Sequence, residues 1–240
     1  MKRFAILTIA MAAASLSHAS EIYNNGPVAN ASGRSVITPG SSSYGYGVNA
    51  NSQLAVADDF NVDAGIHWNV NSIDFFAYQT GAGKFTFQEA TWSIVAGHVN
   101  STTVLASGTT ALTNGGVAGY RVSSAASGDR QRAIYRAQAD IDDVTLAAGH
   151  YFLRWSLTGS AASGPWQTPV SDWRSGNAGQ SSDGDGFLKL VDDGSGLTVE
   201  LPFALHGSIS AVPEPATYGM LLGGLTLLCA LARRQRAKVG

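Results

Sequence analysis

The chain has 240 residues, 45% of them hydrophobic and only 13% charged, with 28 glycines and a single cysteine. Of the 15 Lys and Arg, two lie in the first nineteen residues and four in the last eight, leaving nine against 16 of the 17 Asp and Glu, a net charge of −7 for the stretch between. An acidic body argues against nucleic acid or anionic lipid as partners, since both need clustered Lys and Arg, and with the only thiol at Cys229 the rest of the chain has no disulfides, thiol catalysis or zinc–thiolate sites.

The first segment reads as an export signal. Lys2 and Arg3 precede an apolar run from Phe4 to Ala14, and Ser17-His18-Ala19 offers a small-x-small cleavage site, so signal peptidase is expected to cut between Ala19 and Ser20. The apolar run is too short to span about 30 Å of hydrocarbon. Removing residues 1–19 and the C-terminal tail leaves 20–211 as the body, a length that fits one domain.

Along the body, period-two alternation recurs and helical periodicity of useful length does not. Strands are predicted at "LAVADDFNV" (54–62), "VNSIDFFAY" (70–78), "GKFTFQ" (83–88), "ATWSIVAG" (90–97), "TVLASG" (103–108), "RAIYRAQADI" (132–141), "GHYFLRWSLTG" (149–159), "GFLKLV" (186–191) and "LTVELPFALHG" (197–207). In 149–159, Tyr151, Leu153, Trp155 and Leu157 share one face; in 132–141, Ile134 alone breaks the pattern. Turn clusters at Gly81-Ala82-Gly83, Asn114-Gly115-Gly116 and Asp193-Gly194-Ser195-Gly196 separate strands. This pattern predicts an all-β fold, an antiparallel β-sandwich of jelly-roll type. Residues 159–186, rich in Gly, Ser and Asp, form the longest stretch without a strand pattern.

Candidate chemistry in the body is sparse. His67, His98, His150 and His206 have no metal-like spacing and read as surface or turn histidines, and no G-x-S-x-G or H-E-x-x-H appears. A glycosidase needs only two placed carboxylates, which Asp58, Asp59, Asp74, Glu89 and Glu200 could supply. Asp183 and Asp185 alternate in a glycine turn like the start of a calcium loop, though without a downstream bidentate Glu; Asp58-Asp59 could ligate calcium or cap a strand. Trp166 and Trp173 lie in the long loop, where they either face sugars or pack the loop onto the sandwich. No cofactor is expected.

The tail differs from everything before it. Val212-Pro213-Glu214-Pro215 precedes a 17-residue run without charge, 216–232, which can cross a bilayer as one helix; Arg233, Arg234 and Arg236 then fix its orientation with the body outside the cytoplasm. The two prolines hold the peptide before the helix extended. Motif, helix and basic tail in this order resemble a PEP-CTERM sorting signal. "VADDFNVDAGIHWNVNSIDFFAY" and "GHYFLRWSLTGSAASGPWQTPV" are similar to segments recurring in the bodies of PEP-CTERM proteins, which implies a shared sandwich and no catalytic residue.

The resemblance implies a Gram-negative host that makes extracellular polysaccharide, transient anchoring in the inner membrane, cleavage near 213–215 by an exosortase, and delivery to the cell surface or extracellular matrix. A non-enzymatic surface or matrix protein associated with exopolysaccharide is the expected function; the alternatives are a carbohydrate-binding module using the loop tryptophans and, further off, a secreted hydrolase.

Overall fold

The computed structural model describes residues 20–38, 40–41, 43–160, 166–171, 176–212 and 226. In chain order the strands are β1 (Ser20–Asn24), β2 (Arg34–Val36), β3 (Tyr46–Gly47), β4 (Ala55–Val62), β5 (Ile66–Gln79), β6 (Phe87–Ala96) and β7 (Val104–Val122). After these come β8 (Ala133–Leu146), β9 (Gly149–Gly159), β10 (Trp166–Thr168), β11 (Gly179–Ser181), β12 (Leu188–Lys189) and β13 (Phe203–Ala211). Two single-turn 3-10 helices, Ala50–Ser52 and Ser124–Ala126, are the helical elements of the described body.

All thirteen strands join one sheet, whose main path runs β1-β13-β5-β8-β7-β6-β9-β4-β11-β12. The pairs are antiparallel except β2 with β7. The sheet curls at the 19-residue β7, whose first half pairs with β6 from Val95↔Val104 to Glu89↔Ala111. Its second half pairs with β8 from Leu112↔Ala139 to Tyr120↔Ala133. The two halves of the sheet thereby face each other. Phe75 and Phe203 from one half reach Trp155 from the other, each at 5.9 Å between ring centroids.

β9 shows how the sequence produces this. Side chains alternate across a strand, so Tyr151, Leu153, Trp155 and Leu157 all enter the core while Arg154, Ser156 and Thr158 stay partly exposed. Fully burying one such apolar side chain contributes about 1.5–3 kcal/mol. β8 follows the same rule with Ala133, Tyr135, Ala137, Ala139 and Ile141 inside. The exception, Ile134, is also buried: on the outer face of the sheet it meets Phe76 and Tyr78 under Val28, Tyr44 and Ala118. Val28 and Tyr44 thus cover part of the outer face.

Several expectations change. Asn114-Gly115-Gly116 is no turn but a bulge inside β7, where the register with β8 slips between Asn114 and Val117. Gly116 takes a φ of +95° and its N–H donates to Asn114 Oδ1 at 2.9 Å. Of 83–88 only Phe87 and Gln88 are in a strand, and of 186–191 only Leu188 and Lys189. In 197–207 the strand starts at Phe203, after Pro202, whose missing N–H cannot join a ladder. The loop 159–186 contributes two short strands, β10 and β11.

Candidate functional site

Two groups of carboxylates stand out, and they are opposite in environment. The first begins on β4, where period two places Val56, Asp58, Phe60 and Val62 on the core face. Asp58 is therefore a carboxyl in an apolar position, 0% exposed. Its Oδ2 accepts from Leu201 N at 2.6 Å and Asn25 Nδ2 at 3.1 Å, and its Oδ1 from Asp59 N at 2.9 Å. Asn25 also donates to Leu201 O and accepts from the Tyr23 hydroxyl at 2.7 Å. Glu200, 2% exposed, accepts from Gly176 N at 2.8 Å.

One oxygen each of Asp58, Asp59 and Glu200 lies within 4.8 Å of the others. Burial, and then the nearby Glu200 charge, push the Asp58 carboxyl well above the ordinary carboxylate range, against the hydrogen bonds from Leu201 and Asp59. Burial and the charges of Asp59, Glu200 and Asp58 likewise raise the Tyr23 phenol. Three carboxyls are the start of a calcium shell, which takes six to eight oxygens. Here, however, backbone and amide N–H groups already point at the Asp58 oxygens, so the arrangement ties β1, β4 and the approach to β13 together.

A second buried acid, Asp74 on β5, accepts from Gln138 Nε2 at 3.1 Å and lies 2.8 Å from His206 Nε2 and 3.6 Å from Arg136 Nε. His206 is thus a strand residue joined to a buried carboxylate, not a surface or turn histidine. His150 opens β9 with Nε2 2.5 Å from Asp59 Oδ2 and Nδ1 2.7 Å from Gly97 O, so both ring nitrogens face acceptors. Glu89 is exposed on β6, away from these groups.

The other carboxylate group lines an open cleft. β7 and β8 pair up to Leu112↔Ala139 and then part, β7 following β6 into one half of the sheet and β8 following β5 into the other. The cleft between them has a volume of about 640 Å3. Exposed Asp140, Asp142 and Asp143 form its β8 wall, and Ser107, Thr109 and Thr110 its β7 wall. The Trp92 indole lies beside Gly108 and donates to Thr110 Oγ1 at 3.0 Å. The predicted strand ends at Ile141, whereas β8 runs on to Leu146, so Asp142-Asp143, the signal for this cleft, falls outside the sequence pattern.

The other anticipated site residues are dispersed. Trp166 is only 3% exposed and belongs to the core, packing beside Gly159, so it offers no face to a sugar. Its position in β10, paired to Gln79 of β5, buries it. Trp173 lies outside the described residues. Asp183 and Asp185 sit in an exposed turn in which Asp183 Oδ1 accepts from Asp185 N at 3.1 Å, and no third acidic ligand joins them among the described residues.

At the ends, Ser20 starts β1 opposite Gly207, and β13 runs to Ala211 opposite Ile66, after which Val212 N donates to Gly65 O at 2.8 Å. Both termini of the body therefore lie on neighbouring strands. Residues 211–237 match the family model of the PEP-CTERM protein-sorting motif. The tail carries this sorting motif.

The PEP-CTERM match begins on the last residue of β13, so no spacer separates sheet from motif. The motif implies export with transit through a membrane, and an exosortase as processing partner. Comparison with curated proteins and with solved structures gives no match. Ala19, Pro213, Glu214, Pro215, Arg233, Arg234 and Arg236 lie outside the described residues; so does the span 216–232 apart from Thr226, which is helical. Among the described residues no helix is long and apolar enough to cross a membrane.

Proposed function

We propose that this protein is a non-enzymatic component of the cell surface or extracellular matrix, exported with a cleaved N-terminal signal, held briefly in the inner membrane by its tail, released by an exosortase, and associated with extracellular polysaccharide. The observation that carries the reading is the PEP-CTERM match at 211–237, starting where β13 ends. The facing halves of the curled sheet support a sandwich of jelly-roll type for the body. A non-enzymatic role is supported by the carboxyls that do meet: Asp58 and Glu200 are closed off from solvent and hydrogen-bonded to backbone N–H groups, where no glycoside could reach them.

Ser20 and Val212 lie at the ends of paired strands, so both cuts fall beside one region of the fold, which this reading turns toward the membrane during processing. Intact-mass measurement on protein recovered from the cell surface tests it. The expected species starts at Ser20 and lacks residues after about 215. Alanine at Pro213, Glu214 and Pro215 should leave a full-tail form in the inner membrane. A surface form that retains Arg233 to Gly240 as its main species would mean a permanent anchor.

A further inference from the structure

We propose that the cleft where β7 and β8 part is a binding site for a neutral polysaccharide chain, held by the carboxylates of Asp140, Asp142 and Asp143 on one wall and the hydroxyls of Ser107, Thr109 and Thr110 on the other. The inference rests on the polysaccharide-associated reading above and gives it a place on the molecule. At about 640 Å3 the cleft falls within the roughly 300–1,000 Å3 range of small-molecule sites, so several sugar units of a longer chain fit along it.

The chemistry of the walls selects the ligand. An ionised carboxylate only accepts hydrogen bonds, whereas a hydroxyl both donates and accepts. A polyol meets both walls at once, since its hydroxyls donate to the aspartates and exchange bonds with Ser107 and with the remaining capacity of Thr109 and Thr110, whose hydroxyls also bond Thr91 and Trp92. Hydrogen bonds to ionised groups are the stronger kind, which makes the β8 wall the main source of affinity. Trp92, whose N–H donates to Thr110 Oγ1, holds that hydroxyl in place and leaves its O–H and one oxygen lone pair for the ligand.

Other occupants fit less well. A polyuronate would bring like charge against three aspartates in a body that already carries a net −7. A bound divalent cation needs convergent oxygens, and among the described residues the convergent trio is Asp58, Asp59 and Glu200, on another part of the fold. A basic peptide that docked by strand addition would need a regular free sheet edge. The β8 edge is broken for that purpose: Val70 pairs with Val144 and Ser72 with Asp140, so Ile141, Asp142 and Asp143 bulge out of the ladder. Bulges and edge charges are the usual means of refusing an added strand.

The test is affinity electrophoresis of the full-length chain in a sugar-free nonionic detergent, through gels containing a neutral glucan, a neutral galactomannan, a polyuronate or poly-lysine. A neutral polymer should retard the wild type, Asp142→Asn with Asp143→Asn should weaken that binding at least tenfold, and Asp183→Asn with Asp185→Asn should leave it within twofold. Hydrogen exchange should slow in 104–111 and 140–146 when the neutral polymer is present, and melting curves check that the variants fold. Equal retardation of the Asp142/Asp143 variant would move polysaccharide binding to another surface and overturn the cleft assignment alone. Retardation only by the polyuronate or only by poly-lysine would overturn the ligand class. If no polymer of any charge binds, the cleft assignment and the polysaccharide-associated reading both fall, whereas the mass of the processed tail is unaffected by any of these outcomes.

Discussion

Asp58 and Asp142 are the same side chain on two strands of one sheet, and they do opposite work. Asp58 replaces an apolar residue on the core face of β4 and is surrounded by N–H donors from β4, from Asn25 and from the approach to β13. Asp142 stands in a bulge of β8, exposed, beside two further aspartates and an open cleft. A buried carboxyl costs free energy unless it is hydrogen-bonded, so its place in the fold is justified by what it ties together. An exposed carboxylate cluster ties nothing together and is free to meet a ligand.

The largest difference should appear on truncation. Asp58→Ala leaves the Leu201 N–H and one N–H of the Asn25 amide, whose other N–H keeps Leu201 O, buried without an acceptor, at about 1–3 kcal/mol each, so we expect a loss of about 3 kcal/mol or more in urea unfolding. Asp142→Ala should stay within about 0.5 kcal/mol of wild type, the usual range for surface changes. Comparable losses in the two variants would erase the distinction between a structural and a surface acid.

Parts of this contrast were legible in the sequence. β9 was read to the residue because every second side chain is large and apolar and one face is buried. From the sequence Asp58 is expected as a catalytic carboxylate, a calcium ligand or a strand cap; its partners Asn25 and Leu201 lie 33 and 143 residues away along the chain, and no local pattern joins them. β7 was hardest. Between Val104 and Val117 no residue is fully buried and the inward positions Ala106, Gly108 and Thr110 are small or polar, so the sequence shows no hydrophobic alternation, and Asn-Gly-Gly is turn chemistry that serves equally well as a bulge. The cleft depends on where β7 changes partner, which is a property of the whole sheet.

A second way to sharpen the comparison is pH. Burial and Glu200 raise the folded pKa of Asp58 above its ordinary 3.8, so the folded chain holds a proton that the unfolded chain releases. Stability should therefore fall as pH climbs from about 4 through the raised value, and Asp58→Asn should flatten that decline. Asp192 is buried as well but goes the other way: burial raises it, yet hydrogen bonds from the Ser41 hydroxyl, from Ser195 and from Gly194 N–H outweigh burial and lower it. Its contribution is present above the ordinary value and is lost as pH falls through the folded one. Asp192→Ala should cost about 1–2 kcal/mol at pH 7 and less once the pH has fallen below the lowered folded value. Parallel pH profiles for the Asp58 and Asp192 variants would contradict both assignments.

The smallest expected effect bears most directly on the cleft. Asp140, Asp142 and Asp143 lie close together on one wall, exposed to solvent, so their mutual repulsion is a small cost to the folded state that salt screens within about 10 Å at 0.1 M. Asp142→Asn with Asp143→Asn should thus leave stability unchanged or raise it by a few tenths of a kcal/mol at low ionic strength, and the gain should vanish in 1 M salt. Thermal melts at 10 mM and 1 M sodium chloride make the measurement. A loss above about 1 kcal/mol would show that these aspartates hold the bulge of β8 in place, as Asp58 holds β4, and a structural duty would then explain them without a ligand. Neutral stability combined with lost polysaccharide binding is the outcome that separates a surface shaped for a partner from one that merely carries charge, because charge kept for solubility or to guard the edge of β8 would leave binding unchanged when it is removed.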